Sequence, residues 1–159
     1  MKELLEKLSN AHGVSGREDE IREILKEELE GHVDEIKIDT MGNLIAIKNG
    51  SSTSCMLAAH MDEIGLMVKY IDERGFIRFV PIGGWFEQTL LNERVVFKTE
   101  RGEVYGVIGS KPPHLLEEEE KKKPIKADDM FIDVGARSEE EVKKAGITIG
   151  SVATLDRTV

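Results

Sequence analysis

Apolar positions fall at helical spacing over the first thirty residues. Leu4, Leu5, Leu8 and Ala11 form a one-sided stripe, which Asn10-Ala11-His12-Gly13 brings to an end. A second stripe, Ile21, Ile24, Leu25 and Leu29, follows Ser15, which stands three residues before Glu18 in the form of a capping box; Gly31 is the expected residue just past that helix. The spacing then drops to two. Ile36 and Ile38 alternate with charged neighbours, Thr40-Met41-Gly42-Asn43 turns the chain, and Leu44 to Lys48 returns as a hairpin partner. After a polar loop at residues 49–54 comes an uncharged run, Met56-Leu57-Ala58-Ala59, that reads as a strand buried on both faces and ending at His60.

Beyond Gly65 the texture changes to short alternating segments separated by tight turns. Leu66 to Ile71, the turn Asp72-Glu73-Arg74-Gly75 and Phe76 to Val80 make one meander. Arg94 to Thr99, the turn Glu100 to Glu103 and Val104 to Ile108 make a second. Met130 to Val134 and Ser151 to Leu155 are further strands, and Ser138-Glu139-Glu140-Glu141 has capping-box form for a short helix ending near Gly146. Strands of this length and spacing predict a closed or nearly closed β-barrel. Gly83-Gly84 marks a bend or a close backbone approach before Trp85, itself expected to be a packing residue. Residues 117–124, a block of four glutamates, three lysines and a proline, have no apolar anchor. They predict a mobile solvated loop, one that could also reach a neighbouring subunit.

Composition narrows the classes. A net charge of −9 argues against a nucleic-acid or anionic-membrane surface. No apolar run approaches membrane-spanning length and no signal peptide is evident, so a cytoplasmic protein is expected. The lone cysteine, Cys55, cannot close an internal disulfide and is expected to be a buried, inert thiol.

Candidate chemistry concentrates at His60. A histidine at the carboxyl end of an interior strand stands where open α/β sheets place ligands. Asp62, two residues on, can accept a proton from one ring nitrogen, which fixes the tautomer and frees the other nitrogen for a metal. The alternative is a histidine satisfied by its neighbouring carboxylate. A second His-x-Asp, His32-Val33-Asp34, follows a helix end and carries no chemistry. His12, in a loop, is read as exposed; His114, stiffened by Pro112 and Pro113, is a candidate for lining a site.

Six motifs in chain order resemble the dinuclear-metal aminopeptidases: Gly13-Val14-Ser15-Gly16, Asp39-x-x-Gly42-Asn43-Leu44-Ile45-Ala46, Ala58-Ala59-His60-Met61-Asp62-Glu63-Ile64-Gly65, Pro81-Ile82-Gly83-Gly84, Lys111-Pro112-Pro113-His114 and Phe131-Ile132-Asp133-Val134-Gly135. More narrowly, they are similar to the branch that builds hollow tetrahedral particles, whose members have also been labelled glutamyl aminopeptidases or endoglucanases. The resemblance implies an α/β fold: the amino-terminal part of a zinc-peptidase-like domain over residues 1–65, an inserted β-barrel (PDZ-like) dimerisation domain over 66–155, and a return segment at 156–159. It implies His60 as the first metal ligand and Asp62 as the ligand-orienting catalytic aspartate, and it gives no role to Glu63, Asp72 or Glu73. It implies two divalent ions, zinc or cobalt, in a complete enzyme that removes amino-terminal residues from peptides with a glutamate as general base. Its partners would be peptide substrates and copies of itself, a dimer building block or a tetrahedral dodecamer, with no nucleic acid and no membrane.

In that family the remaining ligands lie downstream of the inserted domain, so at most one ligand belongs to these 159 residues. The expectation is therefore an amino-terminal portion, inactive alone, with exposed apolar surface, unpaired edges and association or disorder over residues 1–64. The alternative is a free-standing oligomerisation or binding module built on the barrel.

Overall fold

A computed structural model describes residues 1–157 of the chain, which divide into two compact units, Met1–Glu63 and Ile64–Arg157. Among the described residues no helix is long and apolar enough to cross a membrane.

The first unit holds helices α1 (Lys2–Ser9) and α2 (Asp19–Leu29) and an antiparallel hairpin of β1 (Glu35–Ile38) and β2 (Leu44–Ile47). Its core is thin. Ala11, Val14 and Ile21 are buried, while Leu4, Leu8, Ile24, Leu25 and Leu29 are only half-covered. Helix α2 ends in a turn closed by His32 N–H donating to Leu29 O at 3.0 Å, with Gly31 at φ 76°, the left-handed conformation that glycine adopts without a Cβ penalty. The hairpin loop is held by Asp39, whose Oδ1 accepts from the Met41 and Asn43 amides at 2.9 Å each. Arg22 joins α2 to that loop by donating to Gly42 O at 3.2 Å.

Three expectations fail in this unit. Ser15 does not cap α2: the helix begins four residues later, behind Glu18, and the Ser15 hydroxyl is engaged elsewhere. Residues 56–60 are not an interior strand. They have no ladder partner among the described residues, and Met56 is 87% and Leu57 94% exposed. A strand exists only through its neighbours' hydrogen bonds, and apolar patterning cannot supply them. For the same reason Cys55 is exposed instead of buried.

The second unit is a closed six-stranded barrel of β3 (Gly65–Ile71), β4 (Ile77–Ile82), β5 (Arg94–Thr99), β6 (Gly102–Ser110), β7 (Met130–Asp133) and β8 (Val152–Leu155), in the order β3-β4-β7-β6-β5-β8. The two meanders are the hairpins β3-β4 and β5-β6. Strand β7 seals one gap between them through Ile77↔Ile132 and Ile108↔Ile132. Strand β8 seals the other: Ala153 pairs with both Leu66 and Phe97. Closure leaves no open edge. Leu66, Val68, Ile77, Phe79, Val95, Phe97, Ile108, Met130 and Ile132 fill the interior, each at most 2% exposed, and α4 (Glu139–Lys144) adds Val142.

A bulge between Val68 and Tyr70 reverses the inward parity of β3, so Ile71 is buried and Tyr70 is half-exposed. Ser138 caps α4 as its sequence predicts, accepting from the Glu141 amide at 3.3 Å. Gly83, at φ 81°, lets the chain pass Ile64 so closely that a Cβ there would lie 2.5 Å from Ile64 Cγ2. Trp85 Nε1 then donates to Gly65 O and Ile82 O at 3.1 and 3.0 Å, the packing role expected of it. The segment expected to be a plain loop contains a helical turn, α3 (Glu118–Lys121): glutamates before lysines suit a helix macrodipole even without an apolar anchor. His114 is exposed on a 3-10 turn. Of the expected return segment 156–159, Asp156 N–H donates to Arg94 O at 2.8 Å and Arg157 pairs with Glu93; the last two residues lie outside the described residues.

Candidate functional site

His60 and Asp62 sit on the stretch that ends the first unit, beside a hollow of about 620 Å³ lined by Leu8 of α1, Ile21, Leu25 and Leu29 of α2, Leu44 of β2, and Leu57 and Met61. The imidazole is 87% exposed. Its Nδ1 lies 3.0 Å from Asp62 Oδ1 and 3.0 Å from the Asp62 carbonyl oxygen. Both partners accept, so the proton belongs on Nδ1 and the Nε2 lone pair is free.

The turn after His60 is held by the loop between the helices. Val14 forms a parallel bridge with Glu63; Glu63 N–H donates to Gly13 O at 2.7 Å, and the Gly13 amide donates to Glu63 Oε1 at 3.1 Å. Val14 is 1% exposed, and a Cβ at position 13 would lie 2.8 Å from Ile21 Cγ2, so the approach needs glycine there. From the same loop Ser15 Oγ donates to Asp62 Oδ2.

These contacts set the electrostatics. The Ser15 hydroxyl, and after it His60, hold the Asp62 carboxyl below the usual carboxylate range despite some desolvation. Glu63 moves the other way. Loss of water around its carboxyl raises it, and the Gly13 amide partly offsets that.

The structure thus brings together His60 and Asp62, with Nδ1 of the ring facing the carboxylate. It does not gather a metal site around them: among the described residues no group of three or more histidine, cysteine, aspartate or glutamate side chains converges. A catalytic ion needs about three protein ligands and an open position. The outward Nε2 of His60 suits one corner of such a set, and the other described residues do not complete it. His114 stands on the barrel unit, and Asp72, as expected, serves its turn, its Oδ1 accepting from the Arg74 and Phe76 amides at 2.9 Å each. Ser15 is the residue that sequence reasoning missed. Its Ser-x-x-Glu spacing pointed to a local cap, whereas Gly-x-Ser-Gly before a helix that starts with two acids was the better signal of a separate loop.

The chain belongs to the M42 glutamyl aminopeptidase family, whose profile matches residues 42–159. It is 46% identical over 152 residues to the lysyl aminopeptidase of Pyrococcus furiosus, covering 94% of this chain and 44% of that protein. The crystal structure of a TET aminopeptidase from a marine-sediment Thaumarchaeota archaeon superposes with a TM-score of 0.91 at 42% identity, covering 97% of this chain and 44% of the other. A TET1 peptidase of Pyrococcus horikoshii, described as assembling into a tetrahedron or a large octahedral shell, has a TM-score of 0.85 at 37% identity over 98% of this chain and 46% of its own. The chain spans less than half the length of the curated relatives it matches.

Proposed function

We propose that these residues form the amino-terminal portion of a metal-dependent aminopeptidase that removes amino-terminal residues from peptides. In this reading His60 is one ligand of a dinuclear zinc or cobalt centre, Asp62 orients it, and the other ligands come from the part of the family's length that the chain does not span. The observation that carries the reading is the outward Nε2 of His60, set by the Asp62 carboxylate 3.0 Å from Nδ1 in a chain of the M42 family. Such a metal pair polarises the scissile carbonyl and activates water. Residues 1–65 belong to the peptidase domain, and residues 66–155 form an inserted, PDZ-like dimerisation barrel. Residues 156–159 lead back to the peptidase domain. The barrel makes the first contact of a homo-oligomer, up to a tetrahedral dodecamer, in a cytoplasmic enzyme. The shells described for the Pyrococcus horikoshii relative support the assembly part.

The test is metal content and aminopeptidase activity, measured on the 159-residue chain beside a version extended to the length of its relatives. The expected result is activity and bound metal in the extended protein and neither in the shorter one. Activity in the 159-residue chain alone, or its absence from a folded, metal-supplemented extended protein, overturns the reading. An extended protein that assembles but holds no metal favours an oligomerisation module instead.

A further inference from the structure

We infer that Ser15 is a positioning residue for His60: its hydroxyl fixes the Asp62 carboxylate so that one oxygen faces Nδ1, which favours the Nδ1–H imidazole with Nε2 free. The Nε2 part of this statement gains its use from the proposed aminopeptidase reading; the hydrogen-bond relay does not depend on it.

The need for such a device follows from what Asp62 is. Rotation about an aspartate's Cβ–Cγ bond is broad, and a partly exposed carboxylate two residues from a histidine has several ways to turn to solvent. Asp62 does not turn away because its two oxygens have different partners, Ser15 Oγ on Oδ2 and His60 Nδ1 on Oδ1. Occupying the first leaves the second in one place. Ser15 can hold that position only if its own loop is fixed, and it is: the parallel bridge of Val14 with Glu63 and the two hydrogen bonds between Gly13 and Glu63 bind the loop to the turn on the far side of Asp62. The clasp joins residues nearly fifty positions apart in the sequence. The Asp62 carbonyl also faces Nδ1 at 3.0 Å. Ser15 therefore governs the carboxylate's share of a divided hydrogen bond, and its loss weakens the preference without abolishing it.

The experiment reads the ring directly. Long-range proton–nitrogen NMR of the metal-free 159-residue chain at alkaline pH gives the Nδ1–H to Nε2–H ratio of His60. Ser15→Ala is expected to lower that ratio at least threefold, toward the value in Asp62→Asn, and Ser15→Thr, which keeps the hydroxyl, to restore most of it. An unchanged ratio in Ser15→Ala overturns the inference. So does a shift that Ser15→Thr shares in full, because the loop backbone and not the hydroxyl would then be the cause. The measurement uses neither metal nor substrate, so its outcome is separate from that of the aminopeptidase assay.

Discussion

The barrel and the amino-terminal unit are built from sequences of similar apolar content that meet opposite fates. In the barrel, Ile77, Val95, Ile108 and Ile132 are fully buried, each strand having a neighbour on both sides. In the first unit, Met56 and Leu57 belong to a run at least as apolar and stand in solvent, and the only sheet among the described residues is a two-stranded hairpin. Pattern states which residues require cover; it does not provide the cover. The difference locates where this chain covers its own apolar side chains and where it leaves them exposed.

The largest break in that comparison comes from truncating cores. Phe79→Ala is expected to destabilise the barrel by about 3–5 kcal/mol, read from denaturant unfolding through the fluorescence of Trp85, the sole tryptophan. Leu57→Ala is expected to stay within about 0.5 kcal/mol, the range of surface changes. A large loss at Leu57 would show that its surroundings are not those of an exposed side chain. Binding of 8-anilinonaphthalene sulfonate should follow the same division: strong in the 159-residue chain and reduced in a Met56→Ser, Leu57→Ser variant, with barrel unfolding unaltered.

The next effect compares two hairpins that use one loop. Asp39 to Asn43 and Asp72 to Phe76 share an aspartate that accepts two amides and a glycine at positive φ, 86° at Gly42 and 85° at Gly75. A Cβ on Gly75 would lie 2.8 Å from the Ala136 carbonyl oxygen, part of fixed backbone, whereas at Gly42 it meets only the movable end of Arg22. Gly75→Ala should destabilise by about 2–3 kcal/mol and Gly42→Ala by about 1 kcal/mol. Equal losses would remove surroundings as the cause.

Smaller still are the two serines with the same spacing. Ser138→Ala removes a helix cap and should destabilise by about 1 kcal/mol, while Ser15→Ala should leave the helicity of α2 unchanged by circular dichroism. The smallest effect is acid-dependent. Asp128 is held below the usual carboxylate range, chiefly by its hydrogen bond from Lys69. A depressed folded value means the contribution is present above the unfolded carboxylate's titration, near 3.9, and is lost as pH falls through the folded value. Asp128→Asn should lower stability slightly at neutrality, because the pair is exposed, and flatten the profile below about pH 4 by the same small amount.

Legibility in the sequence followed the same boundary between local and distant causes. The barrel strands, their two turns and the α4 cap were readable because alternation, Asp-x-x-Gly and Ser-x-x-Glu act over a few residues. The bulge in β3 was not: strict alternation from Leu66 and Val68 puts Tyr70 inside, and only the extra residue reverses it. Nor was the closing partnership of Ala153 with both Leu66 and Phe97, which is set by pairing between strands far apart in sequence. At the site, the His60 to Asp62 contact was legible because it spans two residues. The Ser15 contact spans 47, and a local rule at Ser15 gave the wrong partner.

The central claim is that His60 is one corner of a metal site whose other corners lie outside these residues, and metal stoichiometry of a family-length protein tests it most directly. Equilibrium dialysis against zinc or cobalt should give two ions per chain for the unaltered protein, with at least one lost or its affinity reduced at least a hundredfold in His60→Ala. Two ions held with unchanged affinity in the His60→Ala protein would contradict it.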